Sequence, residues 1–260
     1  MSEIPPYQQQ PNYSNYPRGG GNPDPYRRPP GVYFDNIGQA ITLVQGNLGT
    51  WVLATLIAFG SYFVCIFAVD FLMIGTMMST GGRVNPSALL IIYPIFFVIA
   101  LAFQILFAGL LNMGLKQARG EPIVVGDVFS GFPKAINVIL AMLVTSILVA
   151  VGLLACFVGS WWVAGLLCFM PLLVVDKGLN PIEALQLSWD TLKPHAWGLF
   201  ALVFVAGLIG GLGMLACGIG LLFTYPVYFS IMGLAYNNFF PMDAQNEFAY
   251  NQPIGFEPPR

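Results

Sequence analysis

Gly152-x-Leu154-Ala155-Cys156-x-x-Gly159 recurs as Gly213-x-Leu215-Ala216-Cys217-x-x-Gly220, inside a chain whose long stretches are apolar enough to span a bilayer. The same offset carries Pro133 and Ala135 onto Pro194 and Ala196, so the match includes the start of each apolar run as well as its far end. A duplicated membrane hairpin is the simplest cause.

Composition agrees. Hydrophobic residues make up 57% of the chain and charged residues 8%, against roughly 25% charged in soluble domains. Runs of about 18 or more apolar residues read as spanning helices. Six stand out, near 51 to 74, 88 to 114, 135 to 156, 161 to 176, 196 to 216 and 221 to 239; the fourth is the shortest and holds Pro171. The expected class is all-α: a polytopic membrane protein with six transmembrane helices.

Basic residues collect on the cytoplasmic side of a membrane protein. Arg18, Arg27 and Arg28 precede the first run, Lys116, Arg119 and Lys134 lie between the second and third, Lys177 and Lys193 between the fourth and fifth, and Arg260 after the sixth. Only Arg83 falls in a loop of the other parity. Nine of ten basic residues then share one face, so both termini are expected in the cytoplasm. A net charge of -2 argues against nucleic acid as a partner, since that would need a basic patch.

Residues 1–31 are rich in Pro, Tyr, Gln, Asn and Gly with almost no aliphatic side chains, which predicts a disordered cytoplasmic tail. No basic segment leading into an apolar one marks a cleaved signal, so the first span is expected to direct insertion. Pro5-Pro6-Tyr7 reads as part of a tether, with a polyproline II docking ligand as the alternative. Residues 240–260 read as a second flexible tail.

Three short segments beside the spans share one apolar spacing. Phe34, Ile37, Ile41, Val44 and Leu48 follow i, i+3, i+7, i+10 and i+14; Ile182, Leu185, Trp189 and Leu192 follow four of those steps, and Val125, Val128 and Phe132 three. Each gives one greasy helical face suited to the membrane interface. Asn180, Pro181 and Glu183 add a helix start: an N-cap, a proline at the first helical position and a carboxylate placed to return a hydrogen bond. The 32–239 membrane domain then divides into three repeats of interfacial helix plus helical hairpin, at about 32–117, 121–177 and 179–239. Unit one lacks the Leu-Ala-Cys signature, but its second span ends in Met113-Gly114-Leu115, as the last span does in Met232-Gly233-Leu234.

Ala118-Arg119-Gly120-Glu121 followed by Asp127-Val128-Phe129, then Pro171-Leu172-Leu173-Val174-Val175-Asp176, then Glu183-Ala184-Leu185 with Ser188-Trp189, resembles a group of bacterial six-span inner-membrane proteins of unknown function. That group includes the membrane domain associated with some glycerophosphodiester phosphodiesterases. The resemblance covers about 32–239 and implies the architecture and a bacterial inner-membrane location. Such proteins often carry a proline before the glycine of the hairpin tip, where Val158 stands here. No soluble phosphodiesterase domain follows in the sequence, so the resemblance carries no activity with it.

Chemistry is sparse. His195 is the single histidine and reads as structural. No His/Cys/Asp grouping has metal-ligand spacing, and neither a phosphate loop nor a nucleophile elbow occurs, so no enzyme activity, metal or cofactor is expected. The strongest polar constellation is Arg119, Glu121, Asp127, Asp176, Lys177, Glu183 and Asp190. It reads as caps and a solvated face, with a lipid-headgroup or partner contact as the functional alternative. Asp70 is the sole charge within a span; at about 1.5 Å per residue from Trp51 it lies roughly 28 Å along, at the outer interface, with an intramembrane polar site as the alternative. Gln104, Asn112, Thr145 and Ser146 are expected to hydrogen-bond between helices. Ala206, Gly207, Gly210, Gly211 and Gly213 have small-xxx-small spacing and predict a close helix contact. Cys65 and Cys168 read as packing residues, and Cys156 and Cys217 as free thiols at equivalent outer helix ends, a disulfide staple being the alternative.

The expected role is a non-enzymatic membrane component that organises or assists lipids or partner proteins, with another membrane protein or a second copy as partner. A flippase-like carrier of a small amphiphile and a membrane subunit of a lipid-modifying complex are the alternatives. A continuous polar cavity would favour the carrier and a filled centre the structural role.

Overall fold

A computed structural model describes residues 30–83, 86–155, 157–216 and 218–241. The expectations for the two tails, for Pro5-Pro6-Tyr7 and for Cys156 and Cys217 lie outside the described residues. Within them every regular element is a helix: α1 (Asn36–Gly46), α2 (Leu48–Ser79), α3 (Pro86–Ala118), a 3-10 segment (Val125–Lys134), α4 (Ala135–Ala155), α5 (Phe157–Leu167), α6 (Met170–Lys177), α7 (Pro181–Leu192), a 3-10 turn (Lys193–His195), α8 (Ala196–Gly211) with a 3-10 extension (Leu212–Ala216), and α9 (Leu221–Phe239).

Five helical stretches are long and apolar enough to cross a membrane: Leu48–Ser79, Pro86–Ala118, Val125–Leu154, Gly159–Lys177 and Pro181–Leu215. The sixth expected run forms α9, which is not among them. Its polar residues explain the shortfall in hydropathy. Thr224, Ser230 and Tyr236 bond to groups inside the protein, and a helix that faces protein is released from the demand for apolar side chains that lipid imposes. Much of α9 is buried accordingly, including Phe229, Ile231, Met232, Ala235 and Tyr236.

Three boundaries differ from expectation for local reasons. The fourth run is broken into α5 and α6 by a turn at Cys168 and Phe169. Pro171, in the first turn of α6, has no N–H to offer the carbonyl of Leu167. The carbonyl of Leu166, at the break, accepts instead from buried Ser188 Oγ at 2.6 Å, which ties α7 to the gap. The segment around Val125 winds as a 3-10 helix, not an α-helix. The first hairpin is longer than expected: α2 has 32 residues and α3 has 33, about 48 Å each, because nothing stops α2 before Gly81 and Gly82, whose φ of 68° and 83° suit only glycine.

α9 is the hub. It packs most extensively on α3 and also touches α1, α2 and α8, while α4 pairs with α5 and α5 with α8. Aromatic rings fill the space between α2, α3 and α9: Phe229 lies 5.1 Å from Phe107 and 6.3 Å from Trp51, and Phe59 lies 4.6 Å from Tyr225 and 5.3 Å from Phe103.

Glycines set the closest approaches. A Cβ on Gly114 would collide with the Phe229 carbonyl, and one on Gly233 with the backbone of Gly114, so the Met-Gly-Leu pair marks the crossing of α3 and α9. A Cβ on Gly213 would strike the backbone of Gly220 and Leu221, and one on Gly152 would come within 3.1 Å of Ser160 Cα and 3.5 Å of the Gly159 carbonyl carbon. The recurring Gly-x6-Gly is therefore a backbone contact across each of the two hairpins. On α8 and its 3-10 extension the packed face is Ala206, Gly210 and Gly213, all buried. Gly207 and Gly211 look onto open space, so the expected close contact holds for half of that glycine set.

Candidate functional site

The end of α3, the end of α6 and the last turn of α9 bring three polar side chains together. Arg119, one residue beyond α3, forks onto Asp176 of α6 with Nη1–Oδ1 at 2.6 Å and Nη2–Oδ2 at 2.9 Å. Tyr236 of α9 donates its hydroxyl to Asp176 Oδ2 at 2.9 Å. Arg119 Nε reaches Asn237 Oδ1 at 3.4 Å and Nη2 the Phe240 carbonyl at 3.4 Å. The Arg119 and Asp176 side chains are only 10% and 16% exposed, and a planar guanidinium matches a carboxylate in this two-bond geometry. Burial alone would lower the Arg119 pKa; the hydrogen bonds and charge of Asp176, helped by Tyr236 and Glu121, outweigh it and raise it above the usual arginine value.

A second pair lies beside it. Lys116 Nζ meets Asp127 Oδ1 at 2.7 Å, and Asp127 Oδ2 accepts the Val124 N–H at 2.9 Å, capping the 3-10 segment. Asn112 Nδ2 donates to Ser130 Oγ at 3.0 Å, holding the same segment to α3. Lys134 Nζ donates to the Val175 carbonyl at 2.7 Å, where a cation complements the carbonyl end of α6; Gly178 then closes that helix in the left-handed region, with φ 68°.

Of the seven residues of the polar constellation, Arg119 and Asp176 form one fixed pair and Asp127 belongs to another. Glu183 caps the start of α7: its Oε2 accepts the Asn180 N–H at 3.0 Å, while Asn180 Oδ1 accepts from Ile182 N at 3.1 Å and Glu183 N at 3.0 Å. That is the capping box the spacing called for. Glu121 and Lys177 are half-buried near the cluster and Asp190 is exposed. Asp70 is exposed on α2, away from this assembly, and α2 continues nine residues past it to Ser79.

One residue central to the polar framework escaped the sequence reading. Gln117, buried near the end of α3, accepts the Trp51 indole N–H at 2.8 Å and donates to the Leu43 carbonyl at 2.6 Å. Ser230 Oγ lies 3.4 Å from the same oxygen. One amide thus links α1, α2, α3 and α9. Its only signal was an uncharged polar residue at the end of an apolar run. Thr145 and Ser146, expected to bond between helices, instead bond within α4, to the carbonyls of Ala141 at 2.9 Å and Met142 at 2.8 Å. His195 lies 5.3 Å from the Phe239 ring. Cys65 is exposed, not packed, and is a free thiol like Cys168.

A crevice of about 180 Å³ opens between α4, α5 and α7. Its lining is wholly apolar and includes Leu148, Val151, Val163, Leu166, Leu185 and Trp189. Among the described residues no group of three His, Cys, Asp or Glu side chains could hold a metal ion. Comparison with models of known families, with curated proteins and with solved structures finds no match.

Proposed function

We propose that this chain is a multi-pass integral membrane protein of a bacterial inner membrane that organises lipids or partner proteins without catalysing a reaction. The observation that carries this reading is the use made of the polar constellation: its strongest charges are spent on fixed internal bonds, Arg119 with Asp176 and Lys116 with Asp127. Aromatic rings fill the space where α2, α3 and α9 meet. A filled centre suits a structural component better than a carrier, which needs a polar path between its two openings.

The proposed architecture is six spans in three units. The matched glycine contacts of α4 with α5 and of α8 with α9 support it, as does the meeting of α3, α6 and α9 at Arg119, Asp176 and Tyr236. Both termini are proposed to be cytoplasmic, on the side of Lys116, Arg119, Lys134, Lys177 and Lys193, with Arg83 outside.

Reconstitution of the purified chain into vesicles containing fluorescent phospholipids tests the role. A non-translocating protein leaves the inner-leaflet half of the fluorescence protected from an external reducing agent. Full loss of fluorescence in intact vesicles would replace this reading with the carrier, and release of a headgroup would replace it with an enzyme.

A further inference from the structure

The apolar crevice between α4, α5 and α7 has a cation at its rim. Trp189, which lines it, stands edge-on to Trp162 with ring centroids 5.5 Å apart, and Lys193 Nζ lies 5.8 Å from the Trp189 ring centroid. Lys193, the first residue past α7, is exposed and has no ion pair among the described residues; Asp190, three residues earlier in the last turn of α7, is exposed as well. From this arrangement we infer that the crevice takes one acyl chain of an anionic phospholipid, whose phosphate sits beside Lys193 above the Trp189 ring.

Size, lining and position each narrow the occupant. Apolar cavities of about 150 Å³ hold a benzene-sized molecule, so a crevice of about 180 Å³ accepts a short length of hydrocarbon and excludes a headgroup. With no polar residue in the lining, a sugar or nucleotide would find nothing to bond. The crevice lies against α4 and α5, which contribute to two of the bilayer-length apolar stretches, and is bounded by α7, whose Ile182 and Trp189 are exposed at 67% and 42%. Tryptophan at such a rim has its ring in the apolar layer and its N–H toward the headgroups. Lys193 supplies the sign: a cation near the headgroups favours an anionic lipid over a zwitterionic one.

This site rests on the reading of the chain as a lipid-organising membrane protein. Native mass spectrometry of the full-length, detergent-purified protein, offered phosphatidylglycerol and phosphatidylcholine of different chain mass, tests it. The expected result is one retained phosphatidylglycerol, preferred by about fivefold, the worth of one lysine near a lipid surface. Lys193→Gln should abolish the preference while one lipid is still retained. Val163→Phe, which fills the crevice, should remove the retained lipid, while Leu208→Phe on the exposed face of α8 should not. If the wild-type preference survives both Lys193→Gln and Val163→Phe, the crevice is excluded and the lipid-organising reading stands. If the wild-type chain retains neither lipid, the crevice is excluded whatever the variants do. Lipid translocation in vesicles would overturn the functional reading alone.

Discussion

Gln117 joins four helices through one side chain, and Arg119, two residues on, joins three chain segments through another. Removing either should be felt differently. Gln117→Leu keeps the volume but strands the Trp51 N–H and the Leu43 carbonyl, each costing about 1–3 kcal/mol when buried without a partner. Arg119→Ala leaves Asp176 with an uncompensated charge at 16% exposure, which in well-buried pairs costs roughly 3–5 kcal/mol. We expect the order Arg119→Ala, then Gln117→Leu, then Tyr236→Phe in loss of stability, read by unfolding in detergent with increasing dodecyl sulfate. Combining Arg119→Ala with Asp176→Ala should recover part of the loss, because the lone charge is gone; a double variant as unstable as the sum of the singles would remove the pair from the argument. The Arg119 pKa is raised above its ordinary value, so the contribution of its charge is present throughout the neutral and mildly alkaline range and is lost only as pH climbs through the higher folded value. Stability should therefore show no decline traceable to Arg119 between pH 7 and 10. Arg119, Asp127 and Asp176 were legible in the sequence as a group because charges are scarce there. Their pairing was not, because Arg119–Asp176 contact spans 57 residues and no local pattern encodes it.

Helix placement followed from hydropathy and helix ends from glycine and proline chemistry, and the departures follow the same physics read one level higher. The apolar length around 161 to 176 hid a break that Pro171 enforces, because hydropathy is blind to a missing N–H. The small residues of α8 announced a close contact without saying which face made it: a stripe that includes 206, 207, 210 and 211 can turn either way. The structure selects Ala206, Gly210 and Gly213. Thr224 Oγ1 locks the choice by donating to the Gly210 carbonyl at 2.6 Å. Gly114→Ala and Gly233→Ala should each destabilise the fold by more than about 2 kcal/mol, as overpacking against backbone that cannot yield. Gly207→Ala and Gly211→Ala should be neutral or stabilising by up to about 1 kcal/mol, since both meet open space and alanine is the better helix former. A thermal-unfolding series in one detergent separates the two groups. Equal losses from all four substitutions would mean that another chain covers the outer face of α8.

At the scale of the molecule, the question is how many helices cross the membrane, and α9 decides it. Five stretches have the length and hydropathy to cross; α9, at 19 residues, has the length for about 28 Å, close to the roughly 30 Å hydrocarbon layer, but carries its polar side chains inward. A helix sheathed by neighbours needs no apolar surface of its own, so the low hydropathy of α9 is what a central span would show. Sidedness separates a crossing α9 from one that stops short. In a chain with its native cysteines replaced by alanine, single cysteines at Arg83, Lys193 and Pro241 report on three positions with an impermeant thiol reagent added to intact cells. Three crossings separate Arg83 from Lys193, through α3, α4 and the α5–α6 pair, so Arg83→Cys should label from outside and Lys193→Cys only after lysis. Two more crossings, α8 and α9, return the chain to the side of Lys193, so Pro241→Cys should also need lysis. Labelling of Pro241→Cys from outside, with the other two as expected, would show that α8 crosses and α9 does not, leaving five spans and a carboxyl terminus on the outer face.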